Sequence, residues 1–250
     1  MTIFKALRVR LSQGRQYIPD VRAAVPAGFR GLPRIADGDC GAGCDACVAA
    51  CPTAAIQRAP LAIDLGRCVF CAECVDACPE GKLELTAQPR MGATTRAGLV
   101  VSAAERETRL RADATLARVF GRSLRLRQVS AGGCNACELE LNATANVNFD
   151  LQRFGIDWVA SPRHADALVL SGPLTRTMRD AVRLAWDAMP DPRFVVAVGA
   201  CAISGGLYDG ARGVERSFLD DVIPALYVPG CPPHPLTFVN AILDLLGAAR

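Results

Sequence analysis

The 250-residue sequence has no hydrophobic run long enough to cross a membrane; the longest, 194–203, is about ten residues, roughly half of what a spanning helix needs. It also has little excess of either charge. Twenty-eight Lys and Arg against 25 Asp and Glu leave +3, evenly spread, which excludes the basic footprint of a nucleic-acid-binding protein. No export signal is recognised at its start, so an oxidising compartment and a disulfide framework are not expected. An apolar fraction of 51% with 21% charged residues excludes a disordered or fibrous chain. At roughly 150 residues per domain, one or two domains with a real core are expected. What the chain has in abundance is cysteine, 12 in all.

Eight cysteines fall in two compact runs, Cys40-x3-Cys44-x2-Cys47-x3-Cys51-Pro52 and Cys68-x2-Cys71-x2-Cys74-x3-Cys78-Pro79. Neighbours this close pair poorly as disulfides, and under reducing conditions their thiolates are free for soft metals. The second run matches the C-x2-C-x2-C-x3-C-P run of bacterial two-cluster ferredoxins, in which the fourth cysteine of each run ligates the other cluster. Three cysteines on a tight loop face one cubane, the fourth points to the other from the helix that follows, and the proline stops that helix. One 4Fe-4S cluster is therefore expected on Cys40, Cys44, Cys47 and Cys78, and a second on Cys68, Cys71, Cys74 and Cys51. The first run departs by one residue, which Gly41-Ala42-Gly43 can accommodate as a glycine bulge. Cys40-x3-Cys44-x2-Cys47 is also the radical-SAM triplet, and C-x2-C pairs bind zinc. A fourth cysteine, a following proline and a second complete run weigh against both.

Four parts are expected along the chain. Residues 1–38 form a basic leader, with Lys5, Arg8, Arg10, Arg15, Arg22, Arg30 and Arg34 against Asp20 and Asp37. Ile3, Phe4, Leu7 and Leu11 share one helical face, which suits an anionic membrane surface, a partner subunit or the chain's own domain; an Arg-rich start also fits a transit peptide. Residues 39–92 hold the two-cluster ferredoxin domain (α+β), with two short strands around Arg58-Ala59-Pro60. Residues 93–121 are expected to be a linker, helical over 102–119. Residues 122–250 alternate strands (124–130, 156–160, 167–171, 194–199, 226–229) with helices (138–148, 175–189, 236–248). That alternation predicts an α/β domain, a flavodoxin-like, mostly parallel sheet with helices on both faces. Leu124-Arg125-Leu126-Arg127 alternates, so this strand keeps a face or end for another domain or chain, or lies at the sheet edge.

The last four cysteines, Cys134, Cys137, Cys201 and Cys231, are distant in sequence, yet each falls just after an expected strand with a glycine close before the turn. In an open parallel sheet the strands' carboxyl ends share one rim, with a crevice at the topological switch point. The four thiols can converge there on a third 4Fe-4S cluster, the alternative being four unrelated buried cysteines. Glu138 and Glu140 could pass protons or contact a partner, or be ordinary helix-dipole partners. His234 could donate a hydrogen bond to the cluster or be a loop histidine; His164 reads as structural.

Gly133-Cys134-Asn135-Ala136-Cys137-Glu138-Leu139-Glu140, with Gly199-Ala200-Cys201 and Pro229-Gly230-Cys231-Pro232-Pro233, resembles the small electron-transfer subunit of membrane-bound NiFe hydrogenases of the formate hydrogenlyase type. That subunit is similar to the complex I 20 kDa subunit holding the terminal cluster. Residues 1–95, including Gly28-Phe29-Arg30-Gly31, resemble the ferredoxin-type subunit of the same complexes, so the chain looks like a fusion of the two. The resemblance implies three 4Fe-4S clusters and no catalytic residue in this chain. The active site is implied in a hydrogenase or complex I-like large subunit, among other subunits of a membrane-bound complex, with no nucleic acid. It also implies a cytoplasmic location, peripheral on the inner face of the membrane. Complex I carries adjacent cysteines at the first ligand position; the two-residue gap between Cys134 and Cys137 is that of the hydrogenase branch, which disfavours quinone. The competing readings are a complex I-like subunit passing electrons to quinone, and a free-standing iron-sulfur carrier or cluster-assembly protein.

Overall fold

The computed structural model describes residues 3–38, 40–105, 107–108 and 110–247. Helix α1 (Ile3–Gln13) stands with every residue exposed. Then come β1 (Pro33–Ile35), α2 (Ala46–Ala50), β2 (Ile56–Arg58), β3 (Leu61–Asp64), α3 (Glu73–Asp76), β4 (Leu83–Leu85) and β5 (Val100–Ser102). They form two small antiparallel sheets, β1-β4 and β2-β3-β5. The remainder is α4 (Ala114–Phe120), β6 (Leu124–Ser130), α5 (Ala136–Ala143), β7 (Ile156–Trp158), β8 (Ala167–Ser171), α6 (Arg179–Asp187), β9 (Phe194–Val198), α7 (Gly199–Ser204), α8 (Ser217–Asp221), β10 (Leu226–Val228) and α9 (Pro235–Leu245).

The five later strands make one parallel sheet, ordered β10-β9-β8-β6-β7. In order of appearance this is the flavodoxin-like 2-1-3-4-5 arrangement, whose switch point lies between β6 and β8. The sequence dictates it through β8 and β9: Ala-Leu-Val-Leu, closed by Ser171, and Phe-Val-Val-Ala-Val are apolar runs buried at every position, as strands covered on both faces require. One face packs Leu126, Val169 and Val196 under Phe238, Val239 and Ile242 of α9. The other packs Leu168, Leu170 and Val195 under Val182 of α6 and Phe218 of α8.

The amino-terminal half is not loosely tethered. Ile35, Ile56, Leu65 and Leu99 share a core with Ala197 of β9, Ala202 and Ile203 of α7 and Tyr227 of β10. Ala93 and Tyr227 exchange both backbone hydrogen bonds, at 3.0 and 2.8 Å, which seals the outer edge of β10.

Three expectations change. The 102–119 helix is only α4: Ser102 belongs to β5, and the Asp113 carboxylate caps the helix, accepting from Thr115 N at 2.8 Å and Leu116 N at 3.0 Å. Arg106 and Arg109 of that stretch, and Ala248 at the end of the 236–248 helix, lie outside the described residues. The edge explanation for Leu124-Arg125-Leu126-Arg127 fails: β6 is interior, between β8 and β7, with Leu124 and Leu126 fully buried and Arg125 exposed. The leader is two things. After α1 the chain is anchored, with Val21 buried, its carbonyl accepting from Asn240 Nδ2 at 2.9 Å, and Arg22 reaching Asp244 at 2.6 Å.

Candidate iron-sulfur sites

Cys40, Cys44, Cys47 and Cys78 line one hollow together with Arg58 and Lys82. Cys51, Cys68, Cys71 and Cys74 line another, walled by Ile56, Ile63 and Phe70. Each set thus takes three thiols from one run and one from the other. The connection is local: α2 carries Cys47 inward, and the chain turns at Cys51, whose Sγ accepts from Ala55 N at 3.2 Å. In the second run α3 does the same, and the Cys78 Sγ accepts from Lys82 N at 3.3 Å. Phe70 N donates to the Cys68 Sγ at 3.3 Å. Amide donors to sulfur favour negative charge on it, which tunes a metal site through the groups standing behind its ligands.

The extra residue of the first run is taken up in a turn. Gly43 has φ +78°, and Cys44 N donates to Gly41 O at 3.0 Å. Gly41 N donates to the Glu80 carboxylate at 2.8 Å, and Glu80 also pairs with Lys82. These two contacts, the amide first, hold the exposed Glu80 below the usual carboxylate range. Glu80 therefore clasps the lengthened loop to the end of the second run.

Cys134, Cys137, Cys201 and Cys231 meet on the carboxyl-end rim of the large sheet, beside the switch point. Cys134 follows β6, Cys137 lies in the first turn of α5, Cys201 in α7 after β9, and Cys231 follows β10. Ala200 N donates to Gly230 O at 2.9 Å, tying the second and third turns together. Gly199 has φ +85°, and a Cβ there would stand 2.7 Å from the Cys137 Sγ, so only glycine lets that thiol cross the rim. Cys134 and Cys231 are exposed; Cys137 and Cys201 are half-buried. The rim is open on one side and closed on the other.

The donor chemistry fits a multi-iron group. Burial pushes the Cys68 and Cys137 thiols up to about 12 and the Cys74 and Cys201 thiols up to about 11. Repulsion from the other cysteines of the same set adds to this in each case, so the thiols of a set feel one another as charges. Four thiolates cannot coexist in such a place without a cationic centre to neutralise them. Among the described residues no group of three potential ligands closes around a single metal ion.

Residues 134–245 match the family described as NADH ubiquinone oxidoreductase, 20 Kd subunit, and residues 61–81 match the 4Fe-4S binding domain. The chain is 37% identical over 131 residues to the probable membrane-bound hydrogenase subunit mbhJ of Pyrococcus furiosus, covering 52% of this chain and 78% of that one. It belongs to this family. It is an iron-sulfur protein, with an amino-terminal 4Fe-4S ferredoxin motif fused to a 20 kDa-type domain. It is also 42% identical over 135 residues to formate hydrogenlyase subunit 7 of Escherichia coli, covering 54% of this chain but only 52% of that relative. A third relative, NADH-quinone oxidoreductase subunit 6 of Thermus thermophilus, is 39% identical over 120 residues, 47% of this chain and 65% of the other. The chain thus spans about half the length of the Escherichia coli relative and just under two-thirds of the third. Among the described residues no helix is long and apolar enough to cross a membrane.

The two glutamates separate. Glu138 sits in the first turn of α5, where a carboxylate suits the helix dipole, but it is buried, and Ser171 donates to its Oε1 at 2.6 Å. Burial raises its carboxyl pKa, but hydrogen bonds from Ser130, Ser171 and its own backbone outweigh this and leave it below the usual value. Glu140 is half-buried without such donors, and burial pushes it up. His234 is no loose loop residue: its Nδ1 accepts from Leu236 N at 3.0 Å and caps α9, and its ring sits between Phe29 and Phe149. His164 closes a short 3-10 turn, consistent with a structural role.

Sequence reasoning missed the residues that brace the cysteine loops from afar. Arg30 donates to Cys71 O at 2.8 Å across 41 residues. Arg216 donates to Cys201 O, Ala202 O and Ile203 O at 2.9, 2.7 and 2.9 Å. Arg30 enters the sequence reading only through the basic leader and Gly28-Phe29-Arg30-Gly31, and Arg216 not at all; the contact each makes is set by the fold. Arg34 instead pairs with Glu84.

Proposed function

We propose that the chain is a three-cluster electron-transfer subunit of a membrane-associated oxidoreductase, of the NiFe-hydrogenase type found in formate hydrogenlyase. One 4Fe-4S cluster would be held by Cys40, Cys44, Cys47 and Cys78, a second by Cys51, Cys68, Cys71 and Cys74, and a third by Cys134, Cys137, Cys201 and Cys231. When bound, these groups supply one-electron redox chemistry. The chain's own residues hold the three sets next to one another. Cys47 is close enough to Cys74 to repel it as a charge. Gly66, two residues before Cys68, is packed so tightly on Ile203, two residues after Cys201, that a Cβ there would stand 2.7 Å from its Cγ2. Arg67 pairs with Asp209 at 2.6 Å across the same junction. The observation that carries the reading is the gathering of four sequence-distant thiols on one rim, backed directly by a ferredoxin set. All twelve cysteines are then used, so the catalytic centre belongs in a large-subunit partner docked over the exposed Cys134 and Cys231.

Helix α1 supports the peripheral placement on the inner membrane face. It has no acidic residue, Lys5, Arg8 and Arg10 on its polar side, and exposed Phe4 and Leu11 at 78% and 84%.

The test is anaerobic iron analysis with EPR on the native complex. About twelve irons in three distinguishable signals are expected, and Cys201→Ser is expected to remove one signal while both ferredoxin signals remain reducible. Eight irons in the unaltered protein would end the three-cluster reading. Nickel with hydrogen-dependent dye reduction in the same preparation supports the hydrogenase type; quinone-dependent activity without nickel would move the chain to the complex I branch.

A further inference from the structure

Arg216 lies just before α8, half-buried, and its guanidinium fork ends on three carbonyl oxygens: Cys201 O, Ala202 O and Ile203 O. These lie toward the end of α7, at its negative pole; Cys201 O also accepts from Gly205 N at 2.9 Å, whereas Arg216 serves the carbonyls of Ala202 and Ile203 as well. A helix-capping arginine is ordinarily solvated or paired with a carboxylate. Here the nearest carboxylates act only at longer range, Asp209 being engaged by Arg67 and Asp220 standing on α8. Among the described residues none forms an ion pair with Arg216. A second arginine, Arg96, faces it across the junction, held by both oxygens of Asp64 at 2.7 and 2.5 Å. The positive charge is thus half-buried against the turn that carries Cys201, and its direct contacts there are carbonyl dipoles.

We propose that Arg216 is the positioning residue of the third cysteine set: its fork fixes the Cys201 turn, and its half-buried charge raises the midpoint potential of the cluster held there. The proposal rests on the reading that Cys134, Cys137, Cys201 and Cys231 hold that cluster. A cluster bound by four thiolates becomes more negative on reduction, so a fixed cation beside one thiolate favours the reduced form. The fork ends on the carbonyl of Cys201 itself, at 2.9 Å, so the charge stands within one residue of that ligand. Only arginine supplies both a charge and a planar fork able to bind several carbonyls; lysine keeps the charge and glutamine part of the hydrogen bonding.

The experiment is an anaerobic EPR-monitored redox titration of the native complex carrying R216K, R216Q or R216M. In R216Q and R216M the ratio of reduced to oxidised third cluster at a fixed potential should fall on the order of tenfold, about 59 mV for a one-electron couple, with both ferredoxin signals unmoved. R216K should keep the potential but broaden the third signal as the turn loosens. A third-cluster potential unchanged in R216Q, or shifted as far in R216K as in R216Q, would overturn the proposal. If the uncharged variants assemble no third cluster while R216K does, the need for charge is shown by iron count instead; if R216K also assembles none, Arg216 is only a fold anchor and the proposal falls. Fewer than three signals in the unaltered complex would defeat the ligand reading itself, a different failure.

Discussion

At the scale of single residues, the rim depends on places where nothing larger than hydrogen fits. Gly199 combines a left-handed backbone with the Cys137 sulfur where its Cβ would be. Gly199→Ala therefore adds conformational strain of roughly 1–2 kcal/mol and a direct clash with a thiol. The expected outcome is loss of the third EPR signal and about four irons, with the ferredoxin signals retained. An unchanged iron count would mean the rim yields more than its packing implies. The grouping of the cysteines was legible in the sequence: for the two runs because spacing is a local property, and for Cys134, Cys137, Cys201 and Cys231 because expected strand ends share one rim. Arg216, Arg30 and Ser171 were not: what they do depends on which carbonyl or carboxylate the fold sets opposite them, 13–15, 41 and 33 residues away.

At the scale of elements, α9 is nearly buried along its length and begins where the last cysteine turn ends. Its cap is His234, whose Nδ1 accepts the Leu236 amide only while that nitrogen is unprotonated. Burial holds the His234 imidazole below its ordinary value. A group depressed in the folded state contributes stability that is complete above its unfolded value, about 6.5, and is lost as pH falls through the folded one. His234→Ala should cost about 0.5–2 kcal/mol at neutral pH, read as up to roughly 30-fold faster amide exchange in the first turn of α9. His234→Asn, which can cap without titrating, should restore protection and flatten its dependence below about pH 6.5. If protection in the unaltered protein does not fall on acidification, the cap is not what holds that turn. Element types were largely readable: β8 and β9 announce themselves as apolar runs, and the Leu-Arg alternation of β6 reports one uncovered face. The 102–119 stretch misled because composition favours a helix without fixing its start, which the Asp113 cap sets at Ala114.

At the scale of the molecule, two surfaces stand apart from the cores: the rim around Cys134 and Cys231, and α1. The helix exposes Ile3, Phe4, Leu7 and Leu11 beside Lys5, Arg8 and Arg10. The chain should sediment with vesicles containing anionic lipid, and Phe4→Glu with Leu7→Glu should abolish this while added salt weakens it only partly. Sedimentation equal on neutral and anionic vesicles would remove the electrostatic part of that reading. The meeting of the two halves was the least legible feature. Ile203, Ala197 and Tyr227 carry no mark in the sequence of being a wall for Leu65 and Leu99, since an apolar side chain does not specify its partner.

That shared wall sets an order of events during synthesis. The ferredoxin half leaves the ribosome with its cysteines complete but one side bare, because the side chains that close it are encoded about a hundred residues later. Until Tyr227 arrives to zip along Ala93, Leu65 and Leu99 face water. On the proposed assignment, iron entering the first eight cysteines before then would meet a half-walled vessel, and its lasting fit would wait on the final strand.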